Sequence, residues 1–214
     1  RGALLYWSRD RGGSWEASPP IPGLNECSIA DLPGRRILMN CRAAPGAGRG
    51  RRQLVWNVSG VGDDKAAAPK VLADFSPKGL MDPVCQGSII RLGRALYLSN
   101  DNSAAVRAHL TVRRSVDDGK TWDAGLLVSP SGVHTGYSQL VGWVAEGGRE
   151  TLGLLFEEAD YLVWTKWLPR EELEGALRVG VDSAAAGEHE GHAALTATVA
   201  DLAGDAVESD LLVY

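Results

Sequence analysis

No run of about 18 or more uninterrupted apolar side chains occurs in the 214 residues, so no segment qualifies as a membrane-spanning helix. Cysteine is scarce and odd in number. Cys27, Cys41 and Cys85, with no C-x-x-C spacing, indicate neither a zinc site nor a full disulfide framework, and they leave the redox compartment open. The first residues, Arg1-Gly2-Ala3-Leu4-Leu5-Tyr6, carry neither a starting Met nor a signal-peptide layout, so the sequence reads as cut at its front. Lysine is rare too: 17 of the 22 basic residues are Arg. Such a bias suits forked recognition of carboxylate or phosphate and equally follows from genomic composition. Beyond Arg49, Arg51 and Arg52 there is no dense basic run, and the net charge of -5 argues against a nucleic-acid partner. The four histidines sit apart or, as His189 and His192, in an Ala-rich tail, so no metal is implied, and nothing in the sequence asks for a cofactor.

With 44% apolar and 23% charged residues, the chain can build one ordinary globular core. The charge is divided unevenly: residues 1–168 carry a net +3 and residues 169–214 a net -8. Short runs rich in Val, Ile, Leu, Tyr and Trp recur between Gly, Pro, Asn and Asp clusters, among them Arg36 to Met39, Leu54 to Val58, Ser88 to Leu92, Ala95 to Ser99, Leu110 to Arg114, Gln139 to Val144 and Thr151 to Phe156. Short strands spaced by turn signals mean an all-β sandwich, barrel or propeller. Two units are expected, a β domain over 1–168 and an Ala-rich acidic C-terminal extension over 169–214, poorly ordered or appended. In the latter Glu171, Glu172 and Leu173 could open a short helix, and Leu195 to Leu202 could be a strand or a helix.

One internal repeat stands out. Ser8-Arg9-Asp10-Arg11-Gly12-Gly13-Ser14-Trp15 and Ser115-Val116-Asp117-Asp118-Gly119-Lys120-Thr121-Trp122 share the frame S-x-D-x-G-x-[ST]-W, each after an apolar strand. The physics is that of a hairpin tip: Asp accepts turn amides, Gly takes a backbone angle other residues resist, and Trp packs beneath the turn. Asn57-Val58-Ser59-Gly60-Val61-Gly62 reads as a worn third copy, and Asn57-Val58-Ser59 is also a glycosylation sequon. Repeats of this kind point to radial blades of four strands, and at roughly 40 to 50 residues per blade residues 1–168 hold three to four of them.

The repeat frame resembles the Asp-box of sialidases (neuraminidases), and further segments follow in that family's order over residues 1 to about 168. Asn25-Glu26-Cys27-Ser28-Ile29-Ala30 and Leu38-Met39-Asn40-Cys41-Arg42-Ala43 are similar to the pair supplying a buried glutamate and the second arginine of a carboxylate-gripping triad, which fall on Glu26 and Arg42. Met81-Asp82-Pro83-Val84-Cys85-Gln86-Gly87-Ser88 resembles a D-P-V-x-x-G segment of lysosomal and bacterial members. Ser99-Asn100-Asp101 and Arg107-Ala108-His109-Leu110-Thr111-Val112-Arg113 resemble S-N-P and R-x-x-L-T-x-R, placing the third arginine at Arg107. Asp101 stands where the pattern has proline, which implies a less rigid loop. Gly136-Tyr137-Ser138-Gln139-Leu140 and Leu154-Leu155-Phe156-Glu157 resemble the tyrosine nucleophile segment and a glutamate that orients the first arginine, giving Tyr137 and Glu157. The implied fold is a six-bladed β-propeller, present here as an incomplete set.

The implied chemistry is coherent. Sialic acid bears a carboxylate on its anomeric carbon; guanidinium forks bind it, and it would repel an attacking Asp or Glu. A tyrosine is neutral until it attacks and can pass its proton to a nearby glutamate. The resemblance therefore implies Tyr137 as nucleophile, Glu26 as its base, Arg42 and Arg107 as carboxylate ligands, and Glu157 as a supporting residue. Arg51, Arg52, Arg113 and Arg114 are the surface rivals of the two arginines, and Glu158 is the rival of Glu157. Arg113 should point away if Arg107 points in. Cys27 and Cys41 are read as buried small hydrophobes on the opposite strand face. The family's first arginine and its acid/base aspartate have no counterpart in this sequence.

The expected parent is an exo-α-sialidase acting on glycoproteins, oligosaccharides and gangliosides, with this chain alone inactive or badly impaired. The alternatives are a lectin-like propeller that binds sialosides without cleaving them, and a trans-sialidase. The resemblance favours a lysosomal or secreted setting, with cytosolic and membrane-associated relatives also known. The sequence itself indicates neither membrane association nor an oligomeric state.

Overall fold

The computed structural model describes residues 2–43, 50–61, 67–129, 132–144, 147–148 and 150–159 in full, and the backbone of strands at 162–169, 199–200 and 206–207. Four short strands open the chain: β1 (Gly2–Ala3) pairs with β4 (Ile21–Pro22), and β2 (Tyr6–Trp7) with β3 (Glu16–Ala17). β5 (Leu24–Leu32), β6 (Arg36–Ala43), β7 (Arg51–Asn57) and β8 (Lys70–Phe75) then form an antiparallel four-stranded meander. A second meander follows from β9 (Ser88–Leu92), β10 (Ala95–Asp101), β11 (Leu110–Ser115) and β12 (Leu126–Leu127). The third sheet has three strands, β13 (Thr135–Val144), β14 (Glu150–Glu158) and β15 (Leu162–Pro169). In the acidic extension β16 (Val199–Ala200) pairs with β17 (Ala206–Val207); the expected helix start at Glu171 to Leu173 and His189 and His192 lie outside the described residues.

The sheets stack face to face, and the burial pattern follows from that. Ala30, Leu32, Leu38, Val55, Ile89, Leu96 and Leu98 fill the layer between the first and second meanders. Tyr97, Leu110, Val112, Leu140, Leu152, Leu154 and Phe156 fill the layer between the second meander and the third sheet. β10 is thus sandwiched, and all seven of its residues are buried. A strand covered on both faces reads as a continuous apolar run, which is why Ala95 to Ser99 was legible in the sequence. Among the described residues the third sheet is packed on one face, and Val141, Trp143 and Leu155 are exposed on the other. Two four-stranded sheets, one of three strands and the short N-terminal ladders therefore stand where three to four blades were expected.

Of the strands of six or more residues, two escaped the sequence reading. In β5 the alternation is broken by an extra residue at Glu26, and β8 is an outer strand with five of its six residues exposed, so neither shows a clean period.

The two repeated turns are superposable in chemistry. Asp10 accepts from Ser14 N, Ser14 Oγ and Ser8 Oγ (2.7, 2.7 and 2.8 Å), and Asp117 from Thr121 N, Thr121 Oγ1 and Ser115 Oγ (2.9, 2.7 and 2.8 Å). In each, two successive residues are left-handed, Arg11 and Gly12 (φ 57° and 96°) and Asp118 and Gly119 (φ 61° and 84°). The expectation for tryptophan holds for one copy only. Trp122 packs on the core and donates its indole N–H to Gly119 O at 3.0 Å, whereas Trp15 is 65% exposed. The difference is the neighbour: Gly119 abuts Leu38 and Gln53 of the first meander, while Gly12 has only Trp15 beside it. At the third candidate copy, Ser59 N donates to Asn57 Oδ1 (2.9 Å) in a simple Asx turn, without the pair of left-handed residues.

Cys27 and Cys41 require a correction. They are not free hydrophobes: they face each other across β5 and β6 with Cα atoms 4.1 Å apart and form a disulfide, leaving Cys85 as a buried free thiol. The extra residue at Glu26 shifts the ladder register and brings the two into opposition.

Candidate functional site

Glu26 is the bulged residue of β5. Asn25 pairs with Arg42 and Cys27 with Cys41, so nothing on β6 opposes Glu26, and its backbone is left-handed at φ 42°. A non-glycine residue held there costs on the order of 1 kcal/mol, and bulges of this kind re-aim a side chain out of the pleat. The disulfide closes the ladder immediately beyond it.

Tyr137 is carried by a second bulge. On β13 the pairing passes from Thr135–Glu158 to Ser138–Phe156, so Gly136 and Tyr137 together oppose Glu157. Each residue of this segment is tied to another element. Thr135 Oγ1 donates to Asp101 Oδ1 (2.5 Å), Cys85 Sγ to Gly136 O (3.6 Å), Tyr137 N to Glu157 Oε2 (3.0 Å) and Ser138 N to Gln86 Oε1 (3.0 Å), while Ser138 Oγ and Ser99 Oγ share a bond of 2.8 Å. A Cβ at Gly136 would collide with the Glu157 carboxylate, which would have to swing away from Tyr137 N.

The two bulges meet. Tyr137 Oη donates to Glu26 Oε1 at 2.7 Å, and Arg42 Nη1 donates to Glu26 Oε2 at 2.5 Å. Arg107 lies over the Tyr137 ring, its Cζ 5.8 Å from the centroid, and its carbonyl accepts from Thr135 N at 3.1 Å. Arg42 is largely covered, whereas Tyr137 is 41% exposed, so the cluster opens to solvent at the phenol.

The electrostatics sort the proton. Burial favours the neutral form of Glu26, but hydrogen bonds from Tyr137 and Arg42 and the charges of Arg42 and Arg107 outweigh it, and the carboxyl sits below its ordinary pKa. The Tyr137 phenol is raised, first by its hydrogen bond to Glu26 and then by burial. At rest, then, Glu26 is an anion and Tyr137 is a neutral phenol aimed at it. Such a pair can move one proton from phenol to carboxylate as the phenol oxygen gains a bond.

Of the rivals, Arg51 was read as a surface residue and is the opposite. It is 1% exposed, donates to Asp82 Oδ2 (2.8 Å) and Cys85 O (2.7 Å), and holds the turn at 82–85 whose amides, Val84 N and Cys85 N, donate to Asp82 Oδ1. The reason is position: β7 packs beneath that turn, where only a paired charge is tolerated. Arg52 pairs with Asp74 at the partly exposed edge, and Arg113 donates to Asp123 O (2.6 Å), away from the cluster. Glu158 accepts from Ser129 Oγ (2.5 Å), so Glu157 is the one that touches the Tyr137 segment. Sequence reasoning passed over Thr135, Asp101, Cys85 and Gln86 as contributors; only the aspartate in place of proline was a signal. A cavity of about 260 Å³ beside Leu72, Phe75 and Asp118 shares no residue with the cluster.

No family model matches the chain. A curated sialidase of Micromonospora viridifaciens is 29% identical over 166 residues, which cover 72% of this chain and 23% of that protein. The chain thus spans about a quarter of the length of that curated relative. Among solved structures, the Hadza microbial sialidase Hz136 matches with a TM-score of 0.60 at 21% identity, over 78% of this chain and 32% of its own. The intramolecular trans-sialidase of Ruminococcus gnavus gives 0.60 at 17% over 79% and 38%, and the NanB sialidase of Streptococcus pneumoniae 0.58 at 18% over 78% and 27%. The fold is therefore an all-β, antiparallel arrangement like part of a sialidase.

Proposed function

We propose that this chain is the part of an exo-α-sialidase that carries the nucleophile, and that the parent protein releases terminal sialic acid from glycoconjugates. The observation that carries the reading is the 2.7 Å hydrogen bond from Tyr137 Oη to Glu26 Oε1, flanked by Arg42 and Arg107. The two guanidinium groups take the substrate carboxylate. Tyr137 Oη attacks the anomeric carbon, its proton passes to Glu26, and the glycosidic C–O bond breaks toward a leaving-group oxygen. That oxygen takes its proton from an acid outside this chain. Water then attacks the same carbon, giving its proton to the conjugate base of that outside acid, and Tyr137 leaves as its phenol with the proton returned from Glu26, so the two displacements retain configuration. The blades of a six-bladed propeller that would complete the site, including a third arginine, are assigned to residues outside this sequence.

A sialoside lectin would need the arginines but neither the tyrosine nor its base, so the Tyr137–Glu26 bond favours catalysis. A trans-sialidase differs only in taking a sugar in place of water. The test is release of a fluorogenic aglycone from a sialic acid glycoside by the full-length gene product and by its Tyr137→Phe variant. Turnover that Tyr137→Phe abolishes is the expected result. Undiminished activity in that variant would sink the assignment, and sialoside binding without release would move it to the lectin.

A further inference from the structure

Asp101 ends β10 and is completely buried at the root of the loop that carries Arg107; the chain returns from that loop at Leu110, its ladder partner. Its Oδ1 accepts from Thr135 Oγ1 at 2.5 Å, while Oδ2 is buried without a hydrogen bond of good geometry, beside the Cys85 thiol. Thr135 is the junction. Its hydroxyl holds Asp101, its N–H holds the carbonyl of Arg107, and two residues on is Tyr137. A buried carboxylate held by one good hydrogen bond and a thiol, at the root of the loop whose arginine stacks on the nucleophile ring, is under-satisfied in the free protein.

We propose that Asp101 is a positioning residue whose negative charge competes with the substrate carboxylate for Arg107, so that anion binding at Arg107 is coupled to proton uptake by Asp101. This rests on the sialidase reading above. The groups facing Asp101 are Cys85, Asp82 and Arg107, with the Thr135 hydroxyl. Burial pushes the carboxyl up to about 6 and Asp82 adds to it, against the pull of Thr135, Cys85 and Arg107. The Cys85 thiol, pushed up to about 12, first by burial and then by Asp101, stays neutral. Among the groups facing Asp101, the one whose charge changes between pH 5 and 8 is its own carboxylate. A substrate carboxylate arriving at Arg107 adds a second negative charge, raises the cost of ionised Asp101 and draws in a proton.

The test is the pH dependence of KM and kcat for a fluorogenic sialoside with the full-length gene product. KM is expected to rise about fivefold or more from pH 5 to 8, the low end of ordinary coupling between sites. Asp101→Asn removes that rise and isolates the carboxyl from His109 and His134 on the same side. Thr135→Val withdraws a hydrogen bond from the carboxylate and shifts the rise to higher pH. An Asp101→Asn enzyme with the wild-type KM profile would overturn the proposal while leaving the sialidase reading intact. A wild type that turns over no sialoside would overturn both. Infrared difference spectra of the ligand-free protein between pH 5 and 8 give a second readout. A protonated-carboxyl band lost in Asp101→Asn is expected, and its absence from the wild type overturns the proposal independently of activity.

Discussion

Glu26 and Tyr137, 111 residues apart in the chain, share a 2.7 Å hydrogen bond because each is the extra residue of a β-bulge at the same end of its sheet. Regular pairing would point Glu26 across its own ladder and withdraw Tyr137 toward Glu157. The bulges turn both outward to one point, and the elements behind them hold that point in place.

Replacing Glu26 by Gln keeps the shape and removes the carboxylate proposed as the base. A loss in kcat of about 100- to 10,000-fold is expected in the full-length protein, with the thermal unfolding midpoint within a few degrees of wild type. Stopped assays of sialoside hydrolysis over pH 5–8 check this, and a loss confined to KM would speak against a proton transfer to Glu26.

Gly136→Ala forces a methyl group into the Glu157 carboxylate. The Glu157 carboxylate must swing aside and release Tyr137 N, at about 1–3 kcal/mol of stability, and the support of the Tyr137 bulge is loosened with it. Denaturant titration measures the first effect and kcat the second. Gly136→Ala combined with Glu157→Ser, which clears the space, should recover stability without recovering activity, because Tyr137 N has lost its acceptor.

The Cys27–Cys41 disulfide closes a loop with a sequence separation of 14. Loop-closure entropy for this length is worth about 3 kcal/mol. Cys41→Ser, or reduction of the wild type, should lower stability by that order, and should lower kcat further than a remote change of equal cost, because the ladder beyond Glu26 is loosened. Equal losses would mean that the bulge holds without the clamp.

Asp101 makes a signed prediction about stability. Its pKa is raised from 3.8 to about 6, by burial first. Below pH 4 it is protonated in both folded and unfolded chains and costs nothing. As pH rises from 4 to 6 the unfolded chain gives up the proton and the folded one keeps it, so stability falls, and above pH 6 the full cost of about 3 kcal/mol is present. Asp101→Asn should therefore be more stable than wild type at pH 8 and indistinguishable from it below pH 4, as read by urea midpoints at the two pH values.

How much was readable without coordinates differs between parts. β10 could be found from its apolar run Ala95 to Leu98, and the repeated turns from five fixed positions whose hydrogen bonds are all local. β5 and β8 could not, the one because its bulge breaks the period and the other because five of its six residues are exposed. The residues expected from the family resemblance, Glu26, Arg42, Arg107 and Tyr137, do come together, and Glu157 lies behind them. The support beneath them was not assigned from the sequence: Cys85 and Gln86 reach the Tyr137 segment from one stretch of chain and Ser99 from another, while Thr135 within the segment reaches back to Asp101.

The sequence by itself determined the class of structure and the turn chemistry, because these depend on periodicity and on contacts between near neighbours; the residues of the cluster were named by the family resemblance. Tertiary structure decided the rest. Only the stacking of the sheets could bury Arg51 and Asp101, and only the shifted ladder at Glu26 could bring Cys27 opposite Cys41. Burial and register arise from elements far apart in sequence, and the pKa of a carboxyl or the pairing of a cysteine follows from those surroundings and not from its neighbours along the chain.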